Sequence, residues 1–230
     1  MRDPTLHWNE RASDHRDVGI SICQCRAAAH KQRLIAITGG PGAGKTAVLE
    51  LARRHFCRHV RVLPEAATLL LAGGFPRYGT EPAVKALQRA ILAVQMELER
   101  AIACDLSVAL SLCDRGTIDG LAYWPGTEDE LFSFFHTTRE TELQRYATVI
   151  HLHTPEERHY DHSNPVRTES AEHAQEMDAR IAHAWRGHPN VHFVDGADDF
   201  LQKAQRALAL LDREVPACCR ATADVSPSPP

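Results

Sequence analysis

Residues Leu34–Glu50 read LIAITGGPGAGKTAVLE, and this stretch decides the fold. The apolar run Arg33–Thr38 ends in glycines, which predicts a buried strand. Gly39 to Thr46 then fit the pattern G-x-x-x-x-G-K-[ST] without departure, and a helix-forming segment from Lys45 to Phe56 follows. A strand, a glycine loop and a helix in that order form a phosphate cradle. Backbone N–H groups turn inward, and the helix N-terminus adds a partial positive charge. Gly39, Gly40, Pro41, Gly42, Ala43, Gly44, Lys45, Thr46 and Ala47 are therefore the candidate nucleotide-binding residues. Lys45 is placed to reach the β- and γ-phosphates of ATP, and the Thr46 hydroxyl to meet Mg²⁺.

Working outward, strands and helices alternate. Further strands are expected at Val60–Leu63, Leu106–Cys113, Thr148–Leu152 and Val191–Val194. Helices are expected at Ala66–Leu71, Glu81–Cys104, Glu128–Phe135, Ala171–Trp185 and Phe200–Leu211. The pattern predicts an α/β fold, a doubly wound parallel sheet of five strands covered on both faces. In the long helix, Val84, Leu87, Ile91, Val94, Leu98 and Ile102 recur in steps of three and four and mark an apolar seam. Gln88, Gln95 and Glu99 flank it and read as a solvated edge, with base recognition as the alternative. Residues 1–30 are polar and read as a flexible extension, 31–213 as the domain, and 214–230 as a Pro/Ser-rich disordered tail.

Ligands of open parallel sheets gather at the carboxyl ends of the strands. The second strand ends in Glu65 and the third in Asp114-Arg115. Phosphoryl transfer needs a metal ligand, a group that orients the acceptor hydroxyl, and cations that spread the transferring charge. Asp114 suits Mg²⁺, Glu65 the acceptor hydroxyl and Arg115 a phosphate; the plainer reading is a helix cap and a local ion pair. Tyr123 and Trp124 follow, and read as core before ring-stacking contacts. After the fourth strand, a polar segment with Arg158 and Arg167 sits where small-molecule kinases place a basic lid. Its histidines, His153, His159 and His162, with His151 nearby, lack a zinc-protease spacing.

Composition narrows the alternatives. The chain has 230 residues, a formal net charge of −4 and a pI near 6.4, which argues against a general binder of nucleic acid polymers. No run of about 20 apolar residues is present to span a membrane. The beginning lacks the apolar core of a signal peptide, and seven scattered cysteines suggest a reducing, cytoplasmic setting. Cys23, Cys25, Cys218 and Cys219 could together form a four-thiolate zinc site, but their spacing is not that of a ribbon or finger, so they read as tail cysteines without a role.

The pieces AITGGPGAGKT, VLPEAA, CDRGTIDGLAYW and NPVRTESAEHA, spread between about Leu34 and Asp195, resemble a group of P-loop NTPases labelled AAA-type ATPases. That group is similar to the nicotinamide-riboside kinase domain of bacterial NAD-regulator proteins. The resemblance implies a nucleoside/nucleotide-kinase-like fold with strand order 2-3-1-4-5. It also implies ATP at Gly39–Thr46, an acceptor near Glu65, Asp114 and Arg115, and lid residues Asn164 and Arg167. The expected activity is Mg-ATP-dependent phosphorylation of a small nucleoside-like or other hydroxyl acceptor. The rival is an ATPase or GTPase switch acting through a protein or lipid; no N-K-x-D guanine-reading loop is found. An AAA-type remodelling machine would need a helical subdomain, and only one helix is expected after the fifth strand. The oligomeric state is left open.

Overall fold

The computed structural model describes residues 23, 25–27, 29–155, 171–195 and 199–220. Five parallel strands form one sheet: β1 (Arg33–Thr38), β2 (Val60–Leu63), β3 (Leu110–Asp114), β4 (Tyr146–Leu152) and β5 (Val191–Val194). Their order is β2-β3-β1-β4-β5, as the resemblance implied. Among the described residues seven α-helices accompany them: α1 (Lys45–His55), α2 (Ala66–Ala72), α3 (Glu81–Ala103), α4 (Glu128–Phe134), α5 (Arg139–Gln144), α6 (Ala171–Ala184) and α7 (Phe200–Glu214).

The alternation of side chains along β1 explains the two-sided cover. Ile35 and Ile37 point to the layer that holds Val48, Leu49 and Ala52 of α1 and Ala207 and Leu211 of α7. Ala36 points to the opposite layer, with Met177, Ile181, Trp185 and the inner edge of α3. Both faces of the central strands are thereby removed from water, which a parallel sheet requires.

Three departures from the sequence expectations have local causes. Strand β3 starts at Leu110 rather than Leu106, because Asp105 turns the chain: its carboxylate accepts from the Ser107 N–H at 3.0 Å and the Ser107 hydroxyl at 2.6 Å. Such turns compete with the ladder. Helix α5 was not expected from its polar sequence RETELQ; Thr138 caps it by accepting from the Thr141 N–H at 3.2 Å. At the end of the domain, α7 continues to Glu214, and Ala217–Cys219 form a 3₁₀ turn with Cys219 buried.

Helix α3 also buries a different stripe. Gln88, Gln95 and Glu99 are buried, not solvated, together with Leu87, Leu92 and Met96. Glu99 is neutralised: Arg145 pairs with it, Tyr146 donates to it at 2.6 Å, and the Gln95 amide donates at 2.8 Å. The steps 88, 92, 95, 99 are themselves helical, so these polar residues share a face.

Asp119 joins three elements at the carboxyl edge of the sheet. It accepts from the Thr38 hydroxyl at 2.5 Å, the Gly116 N–H at 3.0 Å and the Trp185 indole N–H at 2.7 Å. Replacing it with asparagine turns one acceptor into a donor facing buried donors. We expect Asp119→Asn to cost about 3 kcal/mol or more, read as a fall in Tm of at least about 6 °C. A loss below about 1 kcal/mol would show that the three contacts are not a structural tie.

Candidate phosphate-transfer site

The loop after β1 is shaped by its glycines. Gly39, Gly42 and Gly44 have φ of 132°, 75° and 90°, a region side chains disfavour. A Cβ at Gly39 would lie 2.0 Å from the Leu152 carbonyl oxygen, so the loop also packs too tightly against β4 for any other residue. Helix α1 begins directly at Lys45, with Gly44 as its N-cap. The loop is held from behind by Asp178 of α6, which accepts from the Gly40 N–H at 2.7 Å. Burial opposes ionisation of Asp178, but pairing with His151 at 3.0 Å and His153 at 2.7 Å, and the Gly40 contact, hold its carboxyl well below the usual range. These two histidines, weighed in the sequence as metal ligands, both pair with Asp178, and the three side chains lie close enough together to hold an ion; His159 and His162 lie outside the described residues.

The register of the sheet assembles the charged groups. Ile37 stands opposite Asp114, and Leu63 opposite Cys113, so Asp114, Thr38 and Glu65 come at or just past the ends of three adjacent strands. Lys45 folds over the loop and donates from Nζ to the carbonyls of Gly39 and Gly40, both at 2.9 Å. Arg115 has a left-handed backbone (φ 73°) that turns its side chain back. Its Nε donates to Glu65 Oε1 at 2.7 Å and its Nη1 to the Gly39 carbonyl at 3.3 Å. The Thr68 hydroxyl donates to Glu65 Oε2 at 2.5 Å. Asp114 Oδ1 is buried and has no hydrogen-bond partner among the described residues.

These placements set the charges. Burial and then Arg115 lower the pKa of Lys45 to about 7, against the pull of Asp114, Glu65 and Asp119. Burial and then the Glu65 carboxylate raise Asp114 to about 6, although Lys45 and Arg115 oppose the rise. For Glu65 burial works against ionisation, but Arg115 and Thr68 outweigh it and the net shift is downward. Arg115 is stripped of water, yet Tyr123, Asp119 and Glu65 keep its pKa raised and its charge fixed. The site thus holds two groups poised near neutral pH beside a fixed ion pair.

Next to these groups lies a cavity of about 260 Å³ between α2, α3 and the 3₁₀ turn Thr117–Ala122. Its floor carries Glu65, Asp114 and Arg115; Arg77, Gln88, Gln95 and Tyr123 line its walls. Gln88 Oε1 is buried there with no hydrogen-bond partner among the described residues. Trp124 is not part of this wall: it is buried against Leu92, Met96 and Leu131, and its indole N–H donates to the Thr127 carbonyl at 2.9 Å. Gln88 and Gln95 were the residues that sequence reasoning placed in solvent; their helical spacing with Leu92 was the available signal. Pro41 stands at the cavity mouth, and Thr46 and Ala47 are exposed on the first turn of α1. Arg158, Asn164 and Arg167 lie outside the described residues.

The fit of the nucleotide and metal expected from the sequence can be judged from these contacts. The loop offers N–H groups and a helix start, Lys45 offers a cation, and the orphaned Asp114 oxygen and the hydroxyl of the exposed Thr46 offer oxygen ligands of the kind Mg²⁺ takes. These residues fit a Mg²⁺–nucleotide group.

Comparison with known proteins agrees with this geometry. Among solved structures, the thymidylate kinase of Candida albicans superposes with a TM-score of 0.54 at 14% identity, over 81% of this chain and 93% of that one. At that identity the likeness is one of fold. No curated protein matches the chain. Among the described residues, no helix is long and apolar enough to cross a membrane. A family model described as an AAA domain matches residues 34–203. The chain therefore belongs to that AAA-domain family and carries the P-loop nucleotide-kinase fold.

Proposed function

We propose that the protein is a Mg-ATP-dependent kinase that moves the γ-phosphate to a hydroxyl of a small, nucleoside-like acceptor. The observation that carries this reading is the cavity beside the loop, whose floor is the Glu65–Arg115 pair and Asp114. A hydrolase needs room only for water there; this space is lined by apolar and amide side chains beside the charged groups, the pattern of a small-molecule site.

In this reading Gly39–Thr46 hold the β- and γ-phosphates, with Ala47 on the first helical turn. Thr46 and Asp114 would hold Mg²⁺, which neutralises charge on the phosphates when bound. Lys45 swings from its own loop carbonyls to the phosphates and regains a full charge there. Arg115 presents its guanidinium to the transferring group while Glu65 anchors it. Glu65 is already ionised and paired, so it orients the acceptor hydroxyl by accepting its hydrogen bond and takes the proton only as the new P–O bond forms. Gln88 and Gln95 have amide groups that read N–H or O–H groups of the acceptor, and Tyr123 gives it an aromatic wall. The fold shared with a thymidylate kinase supports a small, nucleotide-type acceptor.

The test is ATP consumption against ribonucleosides, deoxynucleoside monophosphates, nicotinamide riboside, sugars and amino-alcohols. One acceptor class should raise turnover at least about 100-fold over the Lys45→Ala protein, as expected for positioning both reactants. Glu65→Gln should bind ATP normally and lose about 100-fold or more in transfer. Equal turnover with and without every acceptor would overturn the proposal.

Proton linkage offers a second check. Phosphate beside Lys45 favours its charged form and raises its pKa from about 7. Mg-ATP binding at pH 8 should therefore take up protons, and the uptake should vanish below about pH 6, where Lys45 is already protonated. Calorimetry in buffers of different ionisation enthalpy reads this directly. Lys45→Ala should abolish the uptake; proton release by the wild-type protein at pH 8 would contradict the assignment.

A further inference from the structure

Five cysteines and two histidines converge at the end of the sheet opposite the phosphate loop. Cys23, Cys25 and His30 precede β1; Cys57 and His59 lie in the turn between α1 and β2; Cys218 and Cys219 follow α7. The strands run away from this point, since β1 begins at Arg33 and β2 at Val60, while the loop follows Thr38 at the other end. All five thiols are free, and Cys57, His59 and Cys219 are buried.

The donors fall into two sets of four, and within each set all ligand atoms lie within 4.8 Å of one another. One set is Cys23, Cys57, His59 and Cys219; the other is Cys25, His30, Cys218 and Cys219. Around His59 Nδ1 the sulfurs of Cys23, Cys219 and Cys57 stand at 3.3, 3.4 and 3.7 Å. A single imidazole nitrogen has one proton or one lone pair, so hydrogen bonding accounts for one of these three contacts. A tetrahedral Zn²⁺ centre accounts for all three: bonds of about 2.3 Å to sulfur and about 2.0 Å to nitrogen give S···N edges near ~3.5 Å and S···S edges near ~3.8 Å. In the second set, Cys25 Sγ is 3.5 Å and Cys219 Sγ 4.0 Å from His30 Nε2, and the Cys218 and Cys219 sulfurs are 3.8 Å apart.

We propose that this cluster is a binuclear structural zinc site in which the Cys219 thiolate bridges two tetrahedral ions. Cys23, Cys57 and His59 complete one ion, and Cys25, His30 and Cys218 the other. Seven donors with one shared meet the demand of two four-coordinate ions. Mixed sulfur and imidazole donors in a tetrahedron select zinc over the oxygen-seeking Mg²⁺ of the opposite site. Four protein ligands per ion leave no open position for substrate, so the role is structural. Each cysteine gives up its thiol proton on binding, which makes metal uptake depend on pH. The ions fasten the segment before β1 and the turn after α7 to the start of β2. Those pieces are far apart in sequence, and clipping long loops constrains the unfolded chain most.

The sequence suggested a site of Cys23, Cys25, Cys218 and Cys219 alone and set it aside for its spacing. The missing members were Cys57, His59 and His30. Cys57-x-His59 is short and sits between two elements that read as ordinary helix and strand, so nothing local joined it to cysteines at the two ends.

The test is metal analysis of the untagged full chain, produced with zinc and kept reduced, by elemental analysis and native mass spectrometry. We expect about two zinc ions per chain, with sulfur and nitrogen neighbours at about 2.3 and 2.0 Å by X-ray absorption. Cys219→Ser should lose both ions, Cys57→Ser and Cys25→Ser one each, and Cys104→Ser, at an exposed position outside the cluster, none. Should the cluster variants fail to fold, titration of the metal-stripped wild-type chain with Co²⁺ still decides, through the visible absorption of tetrahedral thiolate-bound cobalt saturating at two equivalents. Zinc at background level in the wild type, or disulfides among these cysteines in the reduced protein, would overturn the site. A single ion per chain in the wild type, or loss of only one ion in Cys219→Ser, would overturn the bridged pair.

Discussion

The parallel pairing of β1 with β3 is the constraint on which the site depends. It sets Ile37 opposite Asp114 and lets the Arg115 N–H donate to the Ile37 carbonyl at 3.0 Å. The ladder therefore sets Asp114 one residue before the level of Thr38, and Glu65 follows just past the end of β2. A slip of one residue would turn Asp114 into the sheet face and leave the loop facing apolar side chains. Asp119 then fastens this edge from the side, through Thr38, Gly116 and Trp185, and so ties the end of β1 to the 3₁₀ turn and the end of α6.

The energetic consequence is a concentration of charge that water no longer screens fully. Two cations and three carboxylates surround the loop; burial, and then the like-charged neighbour of each, brings Lys45 and Asp114 toward neutral pH from opposite sides, against the pull of the opposite charges. Such groups cost stability when buried and imperfectly paired, and they cluster where chemistry is done. The Glu65–Arg115 pair is the exception: each of its members is held ionised by partners on both sides. A fixed pair beside two adjustable groups is a sensible arrangement for receiving phosphates and a metal whose charges complete the set. At the opposite end of the strands, the sulfur and imidazole cluster carries a different chemistry, and the length of the sheet separates the two.

What could be read from the sequence was whatever lies in one contiguous piece or at a strand end. The loop Gly39–Thr46 was complete as a motif, and Glu65 and Asp114 follow from where β2 and β3 must stop. Both strand ends emerge from where the apolar runs stop. Asp178 did not, because its contact with Gly40 spans 138 residues and nothing in α6 marks it as a loop support. The buried stripe of α3 was misjudged for a related reason. Gln95 and Glu99 look like surface residues until Arg145 and Tyr146, brought by β4 and the turn before it, supply their partners. Arg115 shows the limit most clearly: its identity was legible, but its direction rests on a left-handed backbone that a non-glycine residue rarely adopts.

The central claim is that phosphate leaves ATP for an organic hydroxyl and not for water. Labelling the γ-phosphate and following the label during turnover with the best acceptor tests it directly. The account predicts that most of the label appears in the acceptor, esterified through a new P–O bond, with little inorganic phosphate. Label recovered as inorganic phosphate, at the same rate with or without acceptor, would contradict it and make the cavity beside Glu65 something other than an acceptor site.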